Sequence, residues 1–404
     1  MDDLRQRLRA LPCGARLLDA AAAMAGVHLV GGAVRDLLLG RAPHELDVVV
    51  EGDVRALAAR LGQGADAVAH ERFGTATVRA GDCRWDLAAA RAETYALPGA
   101  LPEVRPAGIE QDLRRRDVTV NALALDLATG TLRAVPHAEE DLAARRLRVL
   151  HDASFVDDPT RLWRVARYAA RLGFDLEEHT AQLAREAVGA GVLDTVSGAR
   201  IGNELRLALD EPDQPAALAA AAALGVAPWL APDRGLAKRA LELLPAGEGR
   251  RDLLVLATSL AVPTDPLLAD LQFSAAERAI VRACRGAPAL DDPPRAASEL
   301  ARALRGLPVE AVAFAGARRS PERAGECHRF DRKAARRWIE ELRHVTLQIT
   351  GDDLRAAGVA EGPELGRRLQ AALDLRLDGA LADGREAQLA AALAAAVAPD
   401  AGTS

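Results

Sequence analysis

The sequence predicts a mixed α/β head running to about residue 150, followed by an all-α remainder. Three observations carry that expectation. Residues 27–53 follow a strand–turn–helix–strand pattern. Two segments between 74 and 87 alternate apolar and polar side chains with the period of two that a half-buried strand requires. From Phe155 onward strand patterns nearly vanish and the helical period takes over.

Taken in order, residues 4–25 read as one or two lead-in helices interrupted near Pro12-Cys13-Gly14. His28-Leu29-Val30 is a short buried strand. Gly31-Gly32 then turns the backbone and allows close approach to a ligand, since neither residue has a Cβ. Ala33–Leu39 is helical, with Gly40 where a left-handed C-terminal cap belongs. Leu46–Val50 is a second strand, Val54–Leu61 a helix, and a Gly-rich link leads to Ala67–His70. Segments 74–79 and 83–87 pair across an Ala80-Gly81-Asp82 turn. Residues 88–108 hold Pro98, Gly99, Pro102, Pro106 and Gly108 and read as a mobile loop. Helix and strand resume over 109–124, and 132–150 closes the α/β part. The helical part breaks at 210–213, 227–233, 262–266 and 288–294, and the tail beyond Pro399 is expected to fray. This organisation gives a head (1–150), a neck (151–212), a body (213–335) and a tail (336–404).

A chain of 404 residues is too long for one ordinary core. Half of it is hydrophobic but only 3% is aromatic, which favours helices packed through small side chains. A net charge of −6 confines any nucleic-acid surface to a local basic face. Cys13, Cys83, Cys284 and Cys327 are scattered without a CxxC, so reduced thiols in a cytoplasm are expected, with neither a zinc site nor a disulfide framework. The charged start, MDDLRQRLRALP, lacks the apolar core of a signal peptide. Gly225 and Pro228 break the alanine-rich run 216–231, which reads as a buried helix and no membrane span.

The residues that can carry chemistry fall in four places. Glu45 and Asp47 lie two apart at the head of a strand, where alternate residues share a face, so their carboxylates can converge on Mg²⁺, with Mn²⁺ as the alternative ion. Asp86 is a candidate third carboxylate, a salt bridge to Arg84 or Arg91 being the competing reading. Arg35 falls on the first turn of the helix after Gly31-Gly32, where a guanidinium beside helix-terminal amides suits a triphosphate. Arg114-Arg115-Arg116 cannot all be buried and must meet anions or water, and Asp117 and Asn121 can share one helical face. Finally, Pro159 opens a helix on which Arg161, Arg164, Arg167 and Arg171 form one stripe opposite Leu162, Val165, Ala166, Ala169 and Leu172. Either Asp157 or Asp158 fits its N-cap. Arg355, Arg367, Arg368 and Arg376 in the tail either follow RNA phosphates or are a solvated face.

The string GGAVRDLLLG followed by Glu45-x-Asp47 resembles the signature of class II tRNA nucleotidyltransferases and the related bacterial poly(A) polymerases. These belong to the superfamily that includes DNA polymerase β. DLRRRDVTVNA, from Asp112, resembles the family's second motif, and the segment from Asp157 to Arg167 resembles the motif with which it reads the incoming base. The resemblance covers roughly the first 210 residues and implies a DNA polymerase β-like head. By it, Glu45 and Asp47 hold metal, while Gly32, Arg35 and Arg116 contact the incoming nucleotide, supported by Gly31 and Asp36. Asp117 and Asn121 lie near the sugar and hinge. Asp158 and Arg161 present an acceptor and donors to the Watson–Crick edge of cytosine or adenine, and Arg164 and Arg167 map to further nucleotide-binding positions. The pattern usually has Asp where this chain has Glu45, and the extra methylene moves a ligating oxygen outward. The implied activity is addition of C and A to the tRNA 3′ end from CTP and ATP by attack of the 3′-hydroxyl on the α-phosphate, releasing pyrophosphate. The alternatives are A-only, CC-only or poly(A) addition and, from another class, a catalytically impaired tRNA-binding protein on account of Glu45.

Overall fold

The computed structural model describes residues 2–62, 66–70, 74–262, 265–288, 290, 296–318 and 328–395. They divide into two compact units, Met1–Pro228 and Trp229–Ser404.

The first unit opens with helices α1 (Asp2–Arg9) and α2 (Pro12–Ala21), the break falling at Pro12, which cannot donate to a continuing helix. Strand β1 (Val27–Val30), helix α3 (Gly32–Leu38), strand β2 (Leu46–Val50) and helix α4 (Val54–Leu61) follow. Gly40 has φ +71°, in keeping with its expected place just past the α3 C-terminus. Strands β3 (Asp66–His70), β4 (Thr75–Ala80) and β5 (Cys83–Ala89) come next, with Gly81 (φ +59°) in the tight β4–β5 turn. The Gly-rich link before Ala67 lies outside the described residues in part.

Residues 88–108 correct the expectation of a loop. They contain an antiparallel pair, β6 (Arg91–Thr94) and β7 (Glu103–Pro106), in which Arg91 faces Pro106 and Thr94 faces Glu103. The prolines that suggested a loop flank or end the strands, where a missing N–H interrupts no ladder. Helix α5 (Ile109–Arg114), β8 (Leu123–Asp126), β9 (Leu132–Ala134), α6 (Ala138–Ala143) and the two-residue β10 (Arg146–Leu147) complete this part.

Seven strands form one sheet in the order β3-β4-β5-β2-β1-β8-β9, and β2–β5 is its one parallel pair among the described strands. Alternation along the strands builds two faces. Leu29, Val48, Val50, Val78, Trp85, Leu87, Leu123 and Leu125 pack with Leu17, Leu18, Val34, Leu57 and Leu61 of α2–α4. Val30, Val49 and Ala124 on the other face pack under Ile109 and Leu113 of α5. Each such side chain removed from water contributes about 1.5–3 kcal/mol. Asp47 alternates with Val48, so it points to the face that α5 only partly covers.

Cys13 and Cys83 form a disulfide with their Cα atoms 5.3 Å apart, which overturns the expectation of reduced thiols for these two. Their 70-residue separation hid a contact that exists only once α2 lies along β5. Cys284 is a buried free thiol, and Cys327 lies outside the described residues.

Helices α7 (Ser154–Asp157), α8 (Thr160–Leu172), α9 (Glu178–Gly189), α10 (Gly198–Leu209) and α11 (Gln214–Ala223) finish the first unit, with a short β11 (Asp175–Leu176) pairing β10. The second unit is helical, from Arg234–Leu241 to Arg385–Ala394. Leu253, Leu254, Val255, Leu256, Val281 and Val312 are buried in it, and Ile349, Leu354, Ala372 and Ala392 form a separate small core near its end. Its arginines at 355, 368 and 376 are ion-paired to Asp352, Glu364 and Asp383. Among the described residues no helix is long and apolar enough to cross a membrane. The expected fraying beyond Pro399 and most of the 288–294 break lie outside those residues.

Candidate active site

The Gly-Gly turn is shaped by what it must admit. Gly31 has φ +69°, and its amide donates to the Leu123 carbonyl at 2.9 Å. A Cβ on Gly31 would stand 2.9 Å from Arg116 Nη1, so glycine alone leaves room for that guanidinium. Arg35, only 3% exposed, lies beneath the turn and not in the cleft. Its Nη1 donates to Asn121 Oδ1 at 2.5 Å, and Nε and Nη2 donate to Asp36 Oδ1 at 2.9 and 2.8 Å. Arg35 and Asp36 thus brace the turn against Asn121 from below.

On the strand side, Asp47 of β2 and Asp86 of β5 are direct partners in the parallel register and therefore share a face. Asp86 accepts from Thr77 Oγ1 at 2.6 Å and pairs with Arg84 at 2.9 Å. Asp47 makes no hydrogen bond with another described residue. Burial, then the negative charge of Glu45, push its carboxyl up to about 6; Arg116 opposes this and Asp86 adds to it. Glu45 precedes β2, is exposed, and lines a separate recess of about 380 Å³ with Pro12, Leu46 and Arg84 that shares no residue with the cleft. Among the described residues no three His, Cys, Asp or Glu side chains converge as a ready-made cation cage.

Opposite stands an arginine wall. Asp112, fully buried, receives Arg115 Nε at 2.9 Å and Arg116 Nη2 at 3.0 Å. Arg116 Nε is buried and has no hydrogen-bond partner among the described residues. Asp117 accepts from the Val118 amide and the Tyr168 hydroxyl, both at 2.9 Å. Burial alone would raise its pKa, but Arg164 and these donors outweigh that and hold it below the usual carboxylate range.

Helix α8 supplies the third side. Asp158 Oδ1 accepts from the Thr160 amide (3.2 Å) and hydroxyl (2.6 Å) and from Arg200 Nη2 (2.8 Å), so Asp158 takes the capping role and keeps Oδ2 unengaged. Arg161 is 2% exposed and donates to Ser154 Oγ and to the Arg115 carbonyl, each at 2.8 Å. Arg164 donates to Glu204 at 3.2 Å and lies 3.8 Å from Asp117; burial would lower its pKa, but these two carboxylates raise it. Arg167 donates to Glu211 at 3.1 Å and does not line the cleft.

The cleft between these walls is open to solvent, about 410 Å³ in volume, and lined by six arginines against four acids. It brings together Gly31, Gly32, Asp47, Arg116, Asp117, Asn121, Asp158, Arg161 and Arg164. Arg35, Asp36, Glu45, Asp86 and Arg167 lie outside its lining. Arg115, read from the sequence only as part of a basic run, and Arg91, read only as a possible partner of Asp86, also line it, together with Glu93, Tyr95, Tyr168 and Arg200. One signal was available: the chain has two tyrosines, and both are here. Tyr95 donates to Glu93 at 3.0 Å, and burial followed by that carboxylate pushes its hydroxyl up to about 12. Arg200 also donates to the Gly99 carbonyl at 2.7 Å, fixing the β6–β7 tip next to Asp158.

A carboxylate-bearing mixed sheet closed by an arginine-rich helix defines a nucleotidyltransferase-type head. Residues 27–148 match the poly A polymerase head domain. The chain is 34% identical over 390 residues to an A-adding tRNA nucleotidyltransferase of Geobacter sulfurreducens, covering 87% of this chain and 43% of that protein. It is 44% identical over 192 residues to a CC-adding tRNA nucleotidyltransferase of Deinococcus radiodurans, covering 46% and 50%. The Thermotoga maritima CCA-adding enzyme, solved with tRNA, superposes with a TM-score of 0.75 at 27% identity over 97% of this chain and 98% of that one. The chain spans half or less of the length of the two curated relatives.

Proposed function

We propose that this chain is a Mg²⁺-dependent tRNA nucleotidyltransferase that adds C and A to the tRNA 3′ end from CTP and ATP. One observation carries the reading: Asp47, in register with Asp86, faces a cleft whose opposite side holds surplus guanidinium and the unpartnered Arg116 Nε. The half-buried Asp47 carboxyl, pushed up to about 6 by burial and then by Glu45 in spite of Arg116, fits a divalent cation. Hard oxygen donors, too few to form a cage, suit Mg²⁺, which keeps waters and substrate phosphates in its shell. Asp47 would hold it with Asp86 beside it, and Glu45, outside the strand, would close in from the edge. The chemistry such an ion supplies is acidification of a hydroxyl and neutralisation of phosphate charge.

The chain's own residues do the rest. Gly31 and Gly32 let the phosphates approach the backbone, and Arg116 meets their charge from the other side. Asp158 Oδ2 and the Arg161 guanidinium offer an acceptor and donors to a base edge, held in place by Thr160, Arg200 and Ser154. No protein nucleophile is required, so positioning and charge compensation account for the rate. A second reading, A-only addition, is favoured by one observation: the relative matched along 87% of this chain carries that name.

Purified protein is incubated with tRNA lacking CCA and, separately, tRNA ending in CC, each with labelled CTP, ATP, GTP or UTP. Incorporation of C and then A, abolished by chelation and restored by Mg²⁺, is the expected result. Incorporation of A into the CC-ended substrate alone selects the second reading. Tight RNA binding with no incorporation overturns both.

A further inference from the structure

Back to back with the nucleotide cleft lies a second recess of about 220 Å³, separated from it by a wall of Glu93, Tyr95, Arg115 and Arg161. Its outer rim is contributed by Arg105 of β7 and by Gln111 and Arg114 of α5. Arg105 and Arg114 are exposed, and neither makes a hydrogen bond or ion pair with another described residue. That sets them apart from the arginines of α8, each bound to an acid or a carbonyl.

The recess is cationic by count, with four guanidiniums against two carboxylates. Glu93 is already engaged, paired with Arg91 at 2.8 Å and Arg115 at 3.1 Å, which leaves Asp157, 4.0 Å from His151, as the one carboxylate of the recess without a close cation among the described residues. His151 is held below the ordinary histidine range by burial and then by Arg161. Its imidazole is therefore neutral near pH 7 and able to accept or donate to a ligand.

We propose that this recess seats phosphodiester groups of a single-stranded RNA 3′ end, the strand whose terminal hydroxyl enters the neighbouring cleft. The inference rests on the nucleotidyltransferase reading above. Two unpaired arginines on separate elements match successive phosphates of a strand better than the compact triphosphate of a free nucleotide.

The test uses the full chain with Arg105→Ala and Arg114→Ala combined, and Arg105→Lys with Arg114→Lys as the charge-keeping control. Affinity for an acceptor-stem RNA with an unpaired 3′ overhang is measured across a salt series, alongside the KM for ATP. The alanine pair is expected to weaken overhang RNA about tenfold and to reduce the salt slope by roughly 1.4, two contacts at about 0.7 each. The lysine pair keeps most of both, ATP KM stays within about twofold, and a blunt-ended duplex shows no such loss. Unchanged overhang affinity in an enzyme that still binds and transfers overturns the recess and leaves the function standing. A rise in ATP KM in place of RNA Kd assigns the recess to free nucleotide and also overturns it. Wild-type protein that binds no RNA at all overturns the function and the recess together.

Discussion

On the strand side of the cleft, Asp47 stands beside Asp86 with no hydrogen-bond donor of its own, and Arg84 is already paired to Asp86. On the helix side, Arg164 is held between Glu204 and Asp117, and Asp117 in turn by Tyr168 and Val118. The two carboxylates respond in opposite directions, Asp47 upward to about 6 and Asp117 below its usual range. Both are removed from water, so burial alone does not decide the sign; the partners do. The helix side is a finished scaffold that needs nothing added. The strand side is the less satisfied one, and it is where the proposed cation would sit.

The largest effect should come from breaking the less satisfied side. Asp47→Ala is expected to reduce nucleotide incorporation by at least about 1000-fold, the order lost when a principal electrostatic group is removed. RNA affinity by filter binding should change less than about twofold. Turnover near that of wild type would remove Asp47 from the metal assignment.

Breaking the finished side should cost folding and not chemistry first. Arg164→Ala leaves Glu204 (6% exposed) and Asp117 (8% exposed) short of their cation. Because the Arg164 side chain is itself 37% exposed, water screens these pairs, and the cost is expected at about 1–2 kcal/mol, below that of a fully buried pair. Urea unfolding of the variant should show this loss, with Arg164→Lys recovering part of it. An unchanged midpoint would mean that the wall is held by Tyr168 and Arg167 instead.

These contrasts show what the sequence could and could not disclose. The strand–turn–helix–strand core, the β4–β5 hairpin and α8 were legible because each has a local period and a local terminator, such as Gly40 or Pro159. The Gly-Gly turn and the arginine clusters were legible as motifs. What stayed hidden was relational. That Asp86 lies in register with Asp47 depends on β5 pairing β2 across the sheet, and nothing local encodes a parallel partner. Arg35 read as a ligand-facing cation, yet it is buried outside the cleft lining and bound to Asn121 and Asp36, whereas Arg161 does line the cleft while also donating to Ser154 and the Arg115 carbonyl. Arg200 reached Asp158 through a helix 42 residues away, and the Cys13–Cys83 bond through a contact 70 residues apart.

A smaller effect sharpens the same contrast through pH. Asp47 holds its proton to about pH 6 in the folded chain against 3.8 as a free side chain, so folding favours its neutral form. The folded state is therefore unpenalised below about pH 4 and loses stability as pH rises through 6. Asp47→Asn should remove that loss. Without divalent ions it is expected to gain about 2 kcal/mol at pH 7.5 and nothing at pH 4, by denaturant titration. Saturating Mg²⁺ should erase or reverse the gain, because wild type alone then has a ligand to stabilise it. A gain that persisted at pH 4 would have a cause other than charge.

The smallest effect belongs to arginines that look alike in sequence. Arg355 pairs with Asp352 one turn away, both largely exposed, whereas Arg164 reaches acids 40 and 47 residues away in a buried wall. An exposed pair close in sequence gains little, since water solvates both partners almost as well as they solvate each other. Arg355→Ala should shift the unfolding free energy by no more than about 0.5 kcal/mol, less than Arg164→Ala. If Arg355→Ala left stability unchanged but weakened binding of tRNA, and a salt series showed the slope falling with it, the ion pair would be a resting state of an RNA-contacting side chain. If neither moved, the tail stripe is a solvated face, and the arginines that matter to this protein are those whose acids come from other elements of the fold.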